Sequence, residues 1–167
     1  IVGVQLRNLA TVGGSIYSRF GFSDVLTMFL ALNASVELYK GGVVPLAEYA
    51  QRPYDRDILV RVIVPKENAR FVYQSVRNSQ TDFPVLTCAA AKLADGSIRA
   101  VIGARPGKAV LYTAAPEAGE TAEEFAARFA AEVKADIKTE SNLRGGAEYR
   151  RHLAGVLTKR AVCRLEG

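Results

Sequence analysis

The chain has 167 residues, 49% of them hydrophobic and 23% charged, a composition that fits one compact domain or two small ones. Its longest apolar runs, Val85 to Ala91 and Val25 to Leu32, are too short for the roughly 20 residues of a spanning helix, and no leader-like block precedes them, so the expected location is the cytoplasm. The charge of 22 minus 17, or +5, is matched by the segment from Arg144 to Arg164 alone, where six cations face only Glu148.

Ile1 to Leu6 reads as a short extended opening, followed by Arg7-Asn8-Leu9-Ala10-Thr11-Val12-Gly13-Gly14-Ser15, whose paired glycines between Thr and Ser have the chemistry of a loop. With Ile at position 1 and the sole methionine at Met28, the sequence reads as a fragment or a processed piece. Ser23 is suited to cap a buried helix of about ten residues that starts at Asp24 and carries Val25, Leu26, Met28, Phe29, Leu30 and Leu32. Asp24 then lies in the first turn, where a negative charge suits the helix dipole.

Ser35 to Lys40 and Val43 to Leu46, separated by Gly41-Gly42, predict a hairpin with a two-residue turn. Ile58 to Val64 has strand composition and stops at Pro65. A pause from Lys66 to Arg70 marks the expected domain boundary. Beyond it, Phe71 to Arg77, Val85 to Ala94, Ile98 to Ala104 and Ala109 to Tyr112 predict successive antiparallel strands, with Asp95-Gly96 as one tight turn. Thr121-Ala122-Glu123-Glu124 forms a capping box ahead of Phe125, Phe129, Val133 and Ile137, predicting a helix over 121–137. A last helix carries Tyr149, Leu153, Val156 and Leu157 on one stripe.

Most of the reactive side chains point to no chemistry of their own. Cys88 and Cys163 read as buried small hydrophobes, and with His152 alone they cannot build a four-ligand metal site, so no metal and no catalytic residue is expected. Gly103-Ala104-Arg105-Pro106-Gly107-Lys108-Ala109 has its glycines one residue too close for a phosphate-binding loop, and Ala109 stands where a magnesium-ligating hydroxyl is needed. The basic last helix lacks the aromatic interleaving of a nucleic-acid surface and reads as a solvated or protein-facing one.

Thr11, Val12, Gly13, Gly14 and Ser15, followed by Ser23-Asp24, are the informative group. Glycine lets a backbone approach a ligand closely, and amides beside hydroxyls suit a diphosphate. Asp24 can return to the same place and accept from ligand hydroxyls. A tight turn and a helix cap account for the same residues, and both readings stay open on spacing alone.

The run from Gln5 to Ile16 with the later Ser-Asp resembles the second flavin-binding segment of the FAD-binding (medium) subunit of molybdenum hydroxylases, the family of xanthine dehydrogenase and aerobic carbon monoxide dehydrogenase. The usual form there is Arg-Asn, a small linker, Thr-Ile-Gly-Gly-Asn and then Ser-Asp. Phe71 to Arg77, Asp82-Phe83-Pro84, Gly103 to Pro106 and Ala147 to Ala154 resemble the C-terminal domain of that subunit, in the same order. The resemblance implies an α+β fold: the second part of a vanillyl-alcohol-oxidase-type FAD-binding domain over 1–66, then a carbon monoxide dehydrogenase flavoprotein C-terminal-like domain over 67–167. The two are expected to stack through a modest interface.

By the same resemblance, Thr11 to Ser15 line the FAD phosphates, Asp24 holds an FAD hydroxyl, and Leu59 matches a flavin-contact leucine. A family lysine near the flavin falls on Gln74, which removes a positive charge. The implied function is electron transfer through FAD, from 2Fe-2S clusters to an acceptor such as NAD. The implied partners are a molybdopterin-binding large subunit and a 2Fe-2S small subunit, with no nucleic acid and no membrane. The family's earlier glycine-rich FAD loop has no counterpart in these residues, so the chain by itself is expected to bind FAD weakly if at all, to purify mostly colourless and to be inactive alone. The alternative is a non-catalytic module of subunit assembly that uses the basic helix.

Overall fold

The computed structural model describes residues 2–66 and 70–167; Ile1 and the place of the expected boundary, 67–69, lie outside the described residues. Two short helices, α1 (Val4–Leu9) and α2 (Val12–Tyr17), lead into α3 (Asp24–Ala31). Strands β1 (Ser35–Leu38) and β2 (Gly42–Pro45), helix α4 (Leu46–Gln51) and strand β3 (Leu59–Ile63) follow, the strands forming an antiparallel sheet in the order β2-β1-β3. The rest is a four-stranded antiparallel meander, β4 (Arg70–Val76), β5 (Leu86–Lys92), β6 (Ile98–Gly103) and β7 (Val110–Ala114), and then helices α5 (Ala122–Asp136) and α6 (Ala147–Glu166). Among the described residues no helix is long and apolar enough to cross a membrane.

The meander has both faces covered. Cys88, Ala90, Ile98, Ala100 and Ile102 point to one side, into a cluster with Phe125, Phe129 and Val133 of α5 and Leu153, Leu157 and Leu165 of α6. Ala89, Ala91 and Val101 point to the other, against Leu26 and Leu30 of α3 and Val36 of β1. This is the two-residue period of a strand, read out as two cores. Alanines are weak strand formers, but Ala89, Ala90 and Ala91, all fully buried, let elements close in on both faces. Thr27 of α3 and Thr87 of β5, fully buried, face each other with hydroxyls 3.4 Å apart. The two halves thus contribute to one core cluster.

Several local expectations are corrected. The opening is helical, and α1 buries none of its residues. The Thr-Val-Gly-Gly-Ser stretch is no loop: Thr11 caps α2 by accepting from the Gly14 amide at 3.0 Å, and the buried Ile16 anchors the helix. The hairpin pairs Leu38 with Gly42, so three residues, Tyr39 to Gly41, make its turn. The cause lies outside the hairpin: the Asp57 carboxylate accepts from the amides of Lys40 and Gly41, at 2.9 and 2.8 Å, and Gly42 adopts φ +66°. Those amides, Lys40 first, hold the Asp57 carboxyl below its usual value.

The last helix also differs from its predicted stripe. Tyr149 is half exposed, and the buried line runs through Leu153, Ala154, Leu157, Ala161 and Leu165. Arg150, read as part of a surface, is 1% exposed. It donates to the carbonyls of Val85, Glu140 and Gly145 and to Asn142 Oδ1, stitching the approach to α6 onto the start of β5. Arg144 is held by the Asp82 carboxylate at 2.9 Å. Cys88 is buried, which pushes its thiol up to about 12, whereas Cys163 is exposed rather than buried.

Candidate functional site

Helix α2 forms a ridge between two hollows. On one side a cleft of about 390 Å³ is lined by Thr11, Gly14, Ser15, Ser23, Asp24 and the aromatic side chains of Phe20, Phe22 and Phe83. On the other a hollow of about 420 Å³ is lined by Gly13, Gly14, Tyr17, Asp57, Ile58 and Leu59. The structure therefore gathers Thr11, Gly13, Gly14, Ser15, Asp24 and Leu59 around one short helix. Val12, half exposed, sits on its outer surface and lines neither hollow.

Gln74 is not among them. It points to the α6 side of the meander and donates to the Leu157 carbonyl at 3.3 Å. Its neighbour Tyr73 faces the cleft side and donates its hydroxyl to Asp24 Oδ1. In a strand, one step along the chain reverses the face, so of the two adjacent residues it is Tyr73 that meets the site.

The two glycines differ in what they leave open. A Cβ on Gly14 would lie 3.0 Å from the Thr11 hydroxyl that caps the helix. A Cβ on Gly13 would meet nothing within 4 Å, and its φ is not positive. Neither packing nor conformation explains glycine at 13, and in a helix it costs about 1 kcal/mol relative to alanine. What it provides is bare backbone facing a hollow, which is the kind of surface a dinucleotide needs. The hydroxyls of Thr11, Ser15 and Ser23, a carboxylate and flanking apolar walls complete a donor and acceptor set that fits FAD.

Asp24 is 7% exposed and strongly held. Arg77 Nη2 lies 2.6 Å from its Oδ1, and the same oxygen accepts from Tyr73. Burial, and then the bond to Asp24, raise the Tyr73 phenol well above its ordinary value, so it stays a donor at physiological pH. Ser23 accepts from the Leu26 amide and donates to the Ser15 carbonyl at 3.1 Å, which ties the start of α3 to α2.

The aromatic wall was not foreseen. Phe20 and Phe22 stack with centroids 5.0 Å apart, and Phe22 meets Phe83 edge to face at 5.0 Å. Gly21 between them explains how the wall stays in place: its carbonyl accepts from the Ala104 amide at 2.6 Å, and a Cβ there would come within 1.8 Å of the Gly107 carbonyl oxygen. The Phe-Gly-Phe spacing was a usable signal, since a glycine between two aromatic residues marks a close backbone approach. Tyr73 and Arg77 carried no such signal, because only the tertiary fold brings them to Asp24.

Residues 1–67 match the family described as the FAD binding domain in molybdopterin dehydrogenase, and residues 71–165 match the CO dehydrogenase flavoprotein C-terminal domain. The chain is 27% identical over 156 residues to the uncharacterized protein YgfM of Escherichia coli K12, covering 92% of this chain and 57% of YgfM. Its fold is similar to that of a carbon monoxide dehydrogenase from Hydrogenophaga pseudoflava that lacks the Mo-pyranopterin moiety of the molybdenum cofactor, with a TM-score of 0.83 and 23% identity over 99% of this chain and 63% of that one. Quinoline 2-oxidoreductase from Pseudomonas putida 86 gives a TM-score of 0.80 and 19% identity over 99% of this chain and 64% of that one. The chain thus spans less than two thirds of the length of these relatives. Two matched segments in consecutive order, covering nearly every residue, settle the kinship: the chain belongs to the CO dehydrogenase flavoprotein family, the FAD-binding subunits of molybdenum hydroxylases.

Proposed function

We propose that this chain is the flavin-binding, electron-transfer part of a cytoplasmic molybdenum-containing hydroxylase or dehydrogenase. The observation that carries the reading is the bare Gly13-Gly14 backbone of α2, set as a ridge with Thr11, Ser15 and Asp24 on one side and Leu59 on the other. FAD would be held by the glycine pair and the hydroxyls of Thr11 and Ser15 at its diphosphate, and by Asp24 and Leu59 beyond it. When bound, FAD supplies the redox chemistry, taking electrons from 2Fe-2S clusters and giving them to an acceptor such as NAD.

The protein's own part is binding and orientation. Thr11 and Ser15 offer hydroxyls to the ligand's phosphate region, and a backbone without Cβ atoms lets it come close. Asp24, fixed by Arg77 and Tyr73, offers a carboxylate oxygen to a ligand hydroxyl without swinging away. Leu59 and the Phe20–Phe22 wall supply apolar contact and shield the ligand from water. The partners in this reading are a molybdopterin-binding large subunit and a 2Fe-2S small subunit.

A second reading, an assembly module without flavin, is favoured by the exposed cations Arg151, Lys159, Arg160 and Arg164 along α6. FAD titration separates the two, followed by quenching of flavin fluorescence. Saturable quenching by the chain, however weak, supports the flavin reading, and none even from a longer product that carries the family's earlier FAD loop favours the assembly module.

A further inference from the structure

Arg19 stands out among the buried residues. It is 4% exposed, has a left-handed backbone at φ +52°, and its Nε and Nη2 make no hydrogen bond. A buried cation with unfilled donors and a strained backbone both work against stability. Its surroundings show what it does instead. The guanidinium lies 4.0 Å from the ring centroid of Tyr49, 5.2 Å from that of Tyr54 and 5.7 Å from that of Tyr17, a three-sided aromatic cage suited to a flat cation.

Polar contacts from that cage join the end of α2 to one segment. Arg19 Nη1 donates to the Pro53 carbonyl at 2.7 Å, and Nη2 lies 3.5 Å from the Asp55 carboxylate. Tyr17 donates to the Asp55 carbonyl at 3.2 Å, and Tyr54 donates to the Ser18 carbonyl. Residues 53–58 have no helix or strand of their own. They form a strap between α4 and β3, and the strap delivers Asp57, Ile58 and Leu59 to the hollow opposite Gly13 and Gly14.

We propose that Arg19 is a positioning residue for the flavin cleft: caged by Tyr17, Tyr49 and Tyr54, it clamps the 53–58 strap to the end of α2 and so fixes the gap between the glycine ridge and Leu59. This rests on the flavin reading of the cleft. Arg19 touches neither hollow, so its effect on the ligand is transmitted through the strap. Its polar ties run to Pro53 and Asp55, so the strap is the part that its loss releases.

The test replaces Arg19→Met, which keeps length and removes charge, and Arg19→Lys, which keeps charge and loses the flat stack. Amide hydrogen exchange of the ligand-free chain is read first. The amides of 54–59 exchange at least about tenfold faster in Arg19→Met while β5 and β6 keep their protection. FAD titration then shows affinity lower by about tenfold, with partial recovery in Arg19→Lys. Unchanged exchange at 54–59 overturns the clamp, and so does faster exchange with undiminished FAD affinity. If Arg19→Met does not fold, Tyr54→Phe, which removes only the tie to Ser18, is read in the same two ways. A wild-type chain that binds no measurable FAD bears on the flavin reading and not on the clamp, and the exchange data alone then decide whether Arg19 holds the strap.

Discussion

At the scale of single residues, Gly13 separates folding from binding most cleanly. Alanine there meets no atom within 4 Å and needs no unusual backbone angle. Gly13→Ala is therefore expected to raise stability by about 1 kcal/mol through helix propensity and a less flexible unfolded chain. The added methyl group projects toward the hollow, so FAD affinity falls in the same variant. Thermal melting and fluorescence titration check the pair of effects, and a variant that gains both stability and affinity contradicts the proposed site. That backbone lies open at Gly13 was legible in the sequence, because glycine beside Thr and Ser is a local signal. The partners of Asp24 were not legible. Arg77 lies 53 residues away in the chain, and placing Tyr73 rather than Gln74 at the site requires knowing which face of β4 turns inward.

Among the elements, α5 was the most readable, since its cap and its apolar period are both local. Thr121 and Glu124 make the reciprocal capping box that their spacing predicts. Ahead of it, Glu120 is gripped by Arg128, whose Nε and Nη2 reach its two oxygens at 2.8 and 2.9 Å. That grip holds the Glu120 carboxyl down at about 2, against an ordinary 4.5. A carboxyl depressed in the folded state contributes stability that is present above pH 4.5 and is lost as pH falls toward 2. Glu120→Gln is expected to flatten the fall in stability across that window, measured by denaturant unfolding at a series of acid pH values; an unaltered slope shows that the grip contributes nothing. The six-residue helices α1 and α2 were unreadable for the opposite reason. They are too short to display a period, and α2 persists because Thr11 caps it and Ile16 is buried under it.

For the whole molecule, the meander with a core on each face predicts how it unfolds. Stripping the N-terminal half from the sheet would expose Ala89, Ala91, Val101 and Ala109, now buried in a cluster that includes residues of α3 and β1. Neither half is left with a complete surface, so the chain is expected to unfold in one cooperative calorimetric transition. Two resolved transitions would show that the halves are independent. The order of the strands and the α+β class were open to a sequence reading because each strand has its own turn signals. The shared core was not, since an apolar run such as Val85 to Ala91 shows that a strand is buried without showing how many neighbours bury it.

The tie from Asp24 to Tyr73 and Arg77 extends this coupling to inheritance. The carboxylate lies in the segment matching one family and both its donors lie in the segment matching the other. Splicing this chain with a homologue at the junction between those segments would bring together a carboxylate and donors that did not evolve side by side. Chimeras that transplant all three residues as a set should retain a formed cleft, and those that divide the set should lose it, so recombination within this family has a seam that cannot be cut freely.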